Sequence, residues 1–109
     1  MQRFCLTLDL VNDEILIAEY EKYHQKIWPE IEKSIKDSGI IAMQIFRLHT
    51  RMFMIIEAED GFTFDAKNKA DANNPKVQEW ENLMWKYQAA LPQAKAGEKW
   101  LPMTKIFDI

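Results

Sequence analysis

Tyr20 and His24 stand four residues apart in the run Tyr20-Glu21-Lys22-Tyr23-His24-Gln25-Lys26-Ile27-Trp28-Pro29-Glu30. A helix through this run stacks the phenol and the imidazole on one face. An imidazole beside a phenol gives and takes protons near neutral pH without a cofactor. Spacing alone also fits a plainer role, because a histidine on an apolar helical stripe is more often a packed core or interface residue. The chemical reading needs polar and aromatic groups from elsewhere to converge on the same cleft. Trp28, Trp80, Glu81, Trp85 and Trp100 are the candidates, although a single tryptophan more often fills a core than lines a sugar site.

Other chemistries find little support in the residues. His24 and His49 fall in different elements, and no cysteine or carboxylate cluster has metal-ligand spacing, so no metal is expected. No Gly-x-Ser-x-Gly occurs, and Ser34 and Ser38 lie in a polar helical tail. The 3 glycines are too scattered for a phosphate-binding loop. Cys5 is the only cysteine and sits in a strand pattern, where a small buried hydrophobe is expected. A net charge of −3 without a basic stripe argues against nucleic acid and against an anionic membrane as partner. The N-terminus lacks a signal-peptide pattern, and no apolar run approaches the roughly 20 residues that span a bilayer. A cytoplasmic protein is expected.

The elements that must position these residues follow from periodicity. Residues 3–10 alternate, with Phe4, Leu6, Leu8 and Leu10 on one face of a first strand. Asn12 and Asp13 offer helix caps, and Leu16, Tyr20, His24 and Ile27 then recur at helical spacing. Pro29 breaks or kinks that helix. The pattern resumes over 30–38 and stops at Gly39. Two strands, 40–48 and 52–59, form a hairpin, and Asp60-Gly61 makes a turn. A short helix fits 62–72, in which Asn68, Lys69 and Asp71 read as solvated surface. Asn74-Pro75 opens a helix carrying Val77, Trp80, Met84 and Tyr87 to about Ala90. A last strand is expected over about 101–108, anchored by Ile106.

This order makes an α+β fold, a ferredoxin-like βαββαβ sandwich in a single domain spanning 1–109. Helices cover only one face of such a sheet. The middle strands are nevertheless apolar on both faces, through Met43 and Ile45 against Phe46 and Ile55 against Ile56. A second copy is the simplest cover, so a homodimer built as a dimeric α+β barrel is expected.

The block Tyr20-x-x-x-His24-x-x-x-Trp28-Pro29-Glu30, followed downstream by Gln78-Glu79-Trp80, resembles the L-rhamnose mutarotase family. The similarity runs from the first strand to the last. It implies an enzyme without cofactor that interconverts the α and β anomers of a 6-deoxy-L-hexose, L-rhamnose first and L-fucose second. The family's catalytic histidine falls on His24 and its sugar-binding tyrosine on Tyr20. A segment in which rhamnose enzymes often carry adjacent tryptophans falls on Trp80 and Glu81, and a further substrate-binding tyrosine falls on Met43. These two departures exchange an aromatic for a carboxylate and remove a hydroxyl. They leave the proton-transfer pair intact, with His24 expected to donate to the ring oxygen. Two rivals share the expected fold or pocket: a cofactor-independent monooxygenase and a non-catalytic sugar-binding module.

Overall fold

A computed structural model describes residues 1–109 of the chain. Its sheet is built outward from β1 (Gln2–Leu10), where strict alternation buries Leu6, Leu8 and Leu10 on one face. β3 (Arg51–Ala58) pairs with it antiparallel, from Gln2 opposite Ala58 to Asp9 opposite Arg51. This register puts Met52, Met54, Ile56 and Ala58 beside the three leucines. β2 (Ile40–Leu48) pairs antiparallel with β3 at the sheet edge. An irregularity between Ile40 and Ala42 changes the alternation, so Met43 and Ile45 turn to the same side as Ile40.

Four helices cover that face. α1 (Glu14–Gln25) starts where the Asp13 carboxylate accepts from the amides of Ile15 and Leu16, at 2.9 and 3.1 Å. Trp28 is extended and Pro29 takes the first position of α2 (Pro29–Asp37), so the expected break becomes a new helix start. Gly39, at φ +97°, turns the chain from α2 into β2 in the left-handed region where a side chain is strained. α3 (Phe64–Ala72) is capped by Thr63, and α4 (Pro75–Trp85) by Asn74. Val77, Trp80 and Met84 of α4 pack with Ile17 and Tyr20 of α1 against Leu8, Leu10 and Met52. A second cluster around Leu6, Ile40, Met54, Ile56 and Phe62 fills the other end.

Two boundaries differ from expectation at the C-terminal side. α4 ends at Trp85 rather than near Ala90, because the chain is recruited into the sheet. The Val11 amide donates to the Tyr87 carbonyl at 2.8 Å, and Gln88–Ala89 form β4 opposite Leu10 and Asp9. The expected strand over 101–108 shrinks to β5 (Leu101–Pro102), which pairs with Leu6 and Thr7 of β1. Pro102 has no amide to donate, and pairing stops at a 2.7 Å bond from the Met103 amide to the Cys5 carbonyl. Ile106, expected as an anchor, is 94% exposed. Cys5 is half-buried on the sheet face away from the helices, across from Ile55. No helix is long and apolar enough to cross a membrane.

Candidate active site

Between the helices and the inner sheet face lies a cavity of about 180 Å³. Tyr20 and His24 of α1, Met43 of β2, and Trp80 and Glu81 of α4 all line it, so these five residues meet in one place. Met43, Ile45 and Met54 make an apolar floor from the sheet. Trp100, arriving from the loop before β5, closes part of the wall. Trp28 and Trp85 stand outside the lining. Trp28 packs edge-on against Trp80, with ring centres 5.0 Å apart, and Trp85 lies under the Lys99 ammonium at 4.7 Å.

One helical turn explains the geometry of the Tyr20–His24 pair. The Tyr20 and His24 rings lie 4.3 Å apart, and the His24 ring abuts Trp80 at 5.7 Å. His24 Nδ1 lies 2.8 Å from the Tyr20 carbonyl oxygen. A carbonyl only accepts, so Nδ1 carries a proton and donates, which leaves Nε2 as the basic nitrogen. Burial lowers the His24 pKa below its ordinary 6.5, only partly opposed by that backbone bond. The imidazole is therefore neutral at pH 7.

The Tyr20 hydroxyl is held from β4. Gln88 Nε2 donates to it at 3.2 Å, although α1 and β4 are far apart in sequence. Because the phenol oxygen accepts from Gln88, its own proton is free to be donated elsewhere. Burial pushes the Tyr20 pKa up to about 12, with the Gln88 bond working in the opposite direction. Tyr20 thus remains protonated at neutral pH. The arrangement is costly for Gln88, since its Oε1 is sealed from solvent and has no partner.

A polar wall completes the cavity on the side of α3. Lys67 and Asp71, one turn apart on α3, form an ion pair at 2.5 Å with side chains only 17% and 11% exposed. Asp71 is thus buried in the cavity wall, contrary to its reading as solvated surface, whereas Asn68 and Lys69 are exposed as expected. Gln78 Nε2 donates to the Asp71 backbone carbonyl at 2.9 Å and ties α4 to α3. Lys99 donates to the Glu81 carbonyl at 2.6 Å, and burial drives its pKa down to about 8 against the attraction of Glu81.

Gln88, Lys67, Asp71 and Lys99 are not singled out by sequence reasoning. The Lys67–Asp71 spacing is visible there, but it is the spacing of any solvated helical ion pair. Gln88 and Lys99 carry no local signal, since both act through partners distant in the chain.

Fold and cavity together define a small α+β protein with an antiparallel sheet, four helices and a pocket that brings a tyrosine and a histidine side by side. Two solved structures share the fold over 100% of this chain and 99% of theirs. An L-rhamnose mutarotase from Formosa agariphila superposes with a TM-score of 0.74 at 20% identity. Tetracenomycin F2 cyclase from Streptomyces glaucescens, a type-II polyketide cyclase, superposes with a TM-score of 0.61 at 16% identity. One fold thus carries two chemistries, and likeness of shape alone does not choose between them.

Sequence does choose. The profile of the L-rhamnose mutarotase family matches residues 3–109. An L-fucose mutarotase from Xanthomonas campestris pv. campestris is 42% identical over 109 residues, covering 98% of this chain and 87% of that protein. The chain belongs to the L-rhamnose mutarotase family. It is a mutarotase, an isomerase acting on sugar anomers.

Proposed function

We propose that this protein interconverts the α and β anomers of a 6-deoxy-L-hexose by opening and reclosing the sugar ring inside the cavity, with His24 and Tyr20 moving the protons. The observation that carries this reading is the tether of His24 Nδ1 to the Tyr20 carbonyl, which keeps Nε2 basic at the cavity wall. In ring opening, Nε2 takes the proton of the anomeric hydroxyl, the bond from C1 to the ring oxygen breaks, and that oxygen takes the Tyr20 proton. After rotation about C1–C2 the oxygen attacks the other face of C1. Its proton returns to the Tyr20 phenolate, and the imidazolium returns the other to the anomeric oxygen. An acid with a pKa near that of an alcohol suits a developing alkoxide. The neutral resting histidine favours His24 as the base of ring opening, in place of the donor to the ring oxygen expected from the sequence. No step asks for a cofactor.

Trp80 and Met43 supply apolar surface for the C6 methyl and a ring face, and Glu81 accepts from sugar hydroxyls. Between the two sugars the balance moves to L-fucose. The family is named for L-rhamnose, but the 42% identical relative is an L-fucose mutarotase. NMR exchange between the anomeric signals of L-fucose and L-rhamnose tests the proposal. Faster exchange with catalytic amounts of protein is expected, larger for L-fucose; no effect on either sugar overturns it.

The same reading includes a homodimer. The sheet face away from the helices presents Phe46 opposite Phe53 and Ile55 opposite Cys5, with Phe46 54% exposed. The tail adds the exposed Ile106 and Phe107. A second copy covers such a face most simply. Light scattering is expected to give twice the 12.9 kDa chain mass, and a monomer at micromolar concentration refutes it.

A further inference from the structure

We infer that the Lys67–Asp71 ion pair is a sugar-reading site, which binds the 4-hydroxyl of the hexose and sets which 6-deoxy sugar the enzyme prefers. This rests on the mutarotase reading above and adds to it a binding element on α3. The first observation is position: both side chains line the cavity that holds Tyr20 and His24. The second is energetic. Burying two charges is expensive, and a one-turn helical pair gains little that a solvated pair would not. A purely structural pair has no need to be withdrawn to 17% and 11% exposure in the wall of a pocket.

The third observation is the unused valence. Lys67 Nζ engages Asp71 Oδ2 alone. Asp71 Oδ1 accepts no hydrogen bond from the protein and yet is not sealed, unlike the carbonyl of Gln88. The pair therefore offers an open carboxylate acceptor beside an ammonium with donors to spare. A hydroxyl, which both gives and accepts, satisfies both.

Placement on α4 selects the hydroxyl. Trp80 faces α1, with its ring against His24, whereas the Gln78 amide reaches the Asp71 carbonyl on α3 and lies 3.5 Å from the Glu81 carboxylate. The proton-transfer pair and the ion pair thus stand on opposite flanks of the cavity. In a six-membered sugar ring C4 lies across from C1. With the anomeric centre at His24 and Tyr20, the 4-hydroxyl points at Asp71. L-Fucose and L-rhamnose carry that hydroxyl in opposite orientations, so a fixed acceptor there separates them.

The test combines a change in the sugar with a change in the protein. Anomer exchange is measured by NMR on the full chain with L-fucose, L-rhamnose and 4-deoxy-L-fucose, for the unaltered protein and for Asp71→Asn. A charge-assisted hydrogen bond corresponds to about 10- to 100-fold. The unaltered protein is expected to lose that factor in kcat/KM, mostly through KM, when the 4-hydroxyl is missing. Asp71→Asn is expected to lose it on L-fucose and to treat L-fucose and its 4-deoxy analogue alike. If Asp71→Asn fails to fold, Lys67→Gln measured on the same two sugars replaces it, and a loss equal for both sugars overturns the inference. Equal rates for L-fucose and 4-deoxy-L-fucose on unaltered protein overturn the inference and leave the mutarotase reading standing. A loss in Asp71→Asn that is the same for both sugars overturns it too, since a structural pair would act that way. Acceleration of neither L-fucose nor L-rhamnose removes both readings together.

Discussion

Replacing Gln88 with methionine, which keeps the length of the side chain and removes its polar atoms, should stabilise the protein and slow it. Gln88 is 7% exposed, and its sealed Oε1 has no partner. Such an acceptor costs roughly 1–3 kcal/mol. The 3.2 Å bond from Nε2 to the Tyr20 hydroxyl offsets roughly 0.5–1.5 kcal/mol of that. Once Gln88 is gone, the Tyr20 oxygen borders the cavity and can recruit water, so it is not left stranded. The balance is a gain of about 1 kcal/mol, which for a chain near this size raises Tm by about 4 °C. Activity should move the other way. Without the Gln88 amide, the phenol is free to rotate its proton away from the sugar. A tenfold slower anomer exchange corresponds to about 1.4 kcal/mol of lost transition-state stabilisation. Calorimetry of the empty protein and NMR exchange on the same sample read the two effects. A lower Tm with unchanged exchange would refute the reasoning and make Gln88 a packing residue.

Five further outcomes are expected. His24→Gln should keep its circular dichroism and lose roughly 10²- to 10⁴-fold in anomer exchange; an unchanged rate removes the role assigned to His24. The pH–rate profile should be flat above 6.5 and fall on acidification through the lowered His24 pKa, because the neutral base is the active form; a rate that rises with acidification would instead make the resting imidazolium the donor. The same shift makes stability fall with acid. Unfolded His24 protonates near 6.5 whereas the folded residue resists, so the stability present above that pH is lost as pH drops, and chemical denaturation of His24→Gln should show a flatter dependence. Lys99 should titrate near pH 8 by NMR of its side chain, as burial has lowered its pKa from 10.5; a titration above pH 10 would contradict its placement. Asn74→Ala should cost about 1 kcal/mol through loss of the cap on the Lys76 and Val77 amides, with exchange at saturating sugar unchanged.

Periodicity marked most of the fold because local rules and tertiary packing agree there. Alternation in β1 and β3, the Asp13 and Asn74 caps, and the Pro29 break each state their structure within a few residues. The errors cluster after Trp85. There the chain has an adequate helical pattern, but the free edge of β1 competes for it and takes Gln88–Ala89 as a strand. The strand expected over about 101–108 with Ile106 as its anchor likewise shrinks, because the pairing ends with the Met103 amide and the tail stays outside the sheet.

For the pocket the division is sharper. The sequence by itself placed Tyr20 and His24 on one helical face, since the two lie one turn apart and the Nδ1 tether spans that turn. Its whole-chain resemblance determined the family, which the match over 3–109 bears out. Only the tertiary structure decided that Gln88 holds the Tyr20 hydroxyl, that Lys99 closes on Glu81, and that Asp71 is buried rather than solvated. Spacing along a chain reports which side chains share a face. Burial, which sets both pKa and the cost of an unpaired polar atom, depends on what packs against that face from elsewhere.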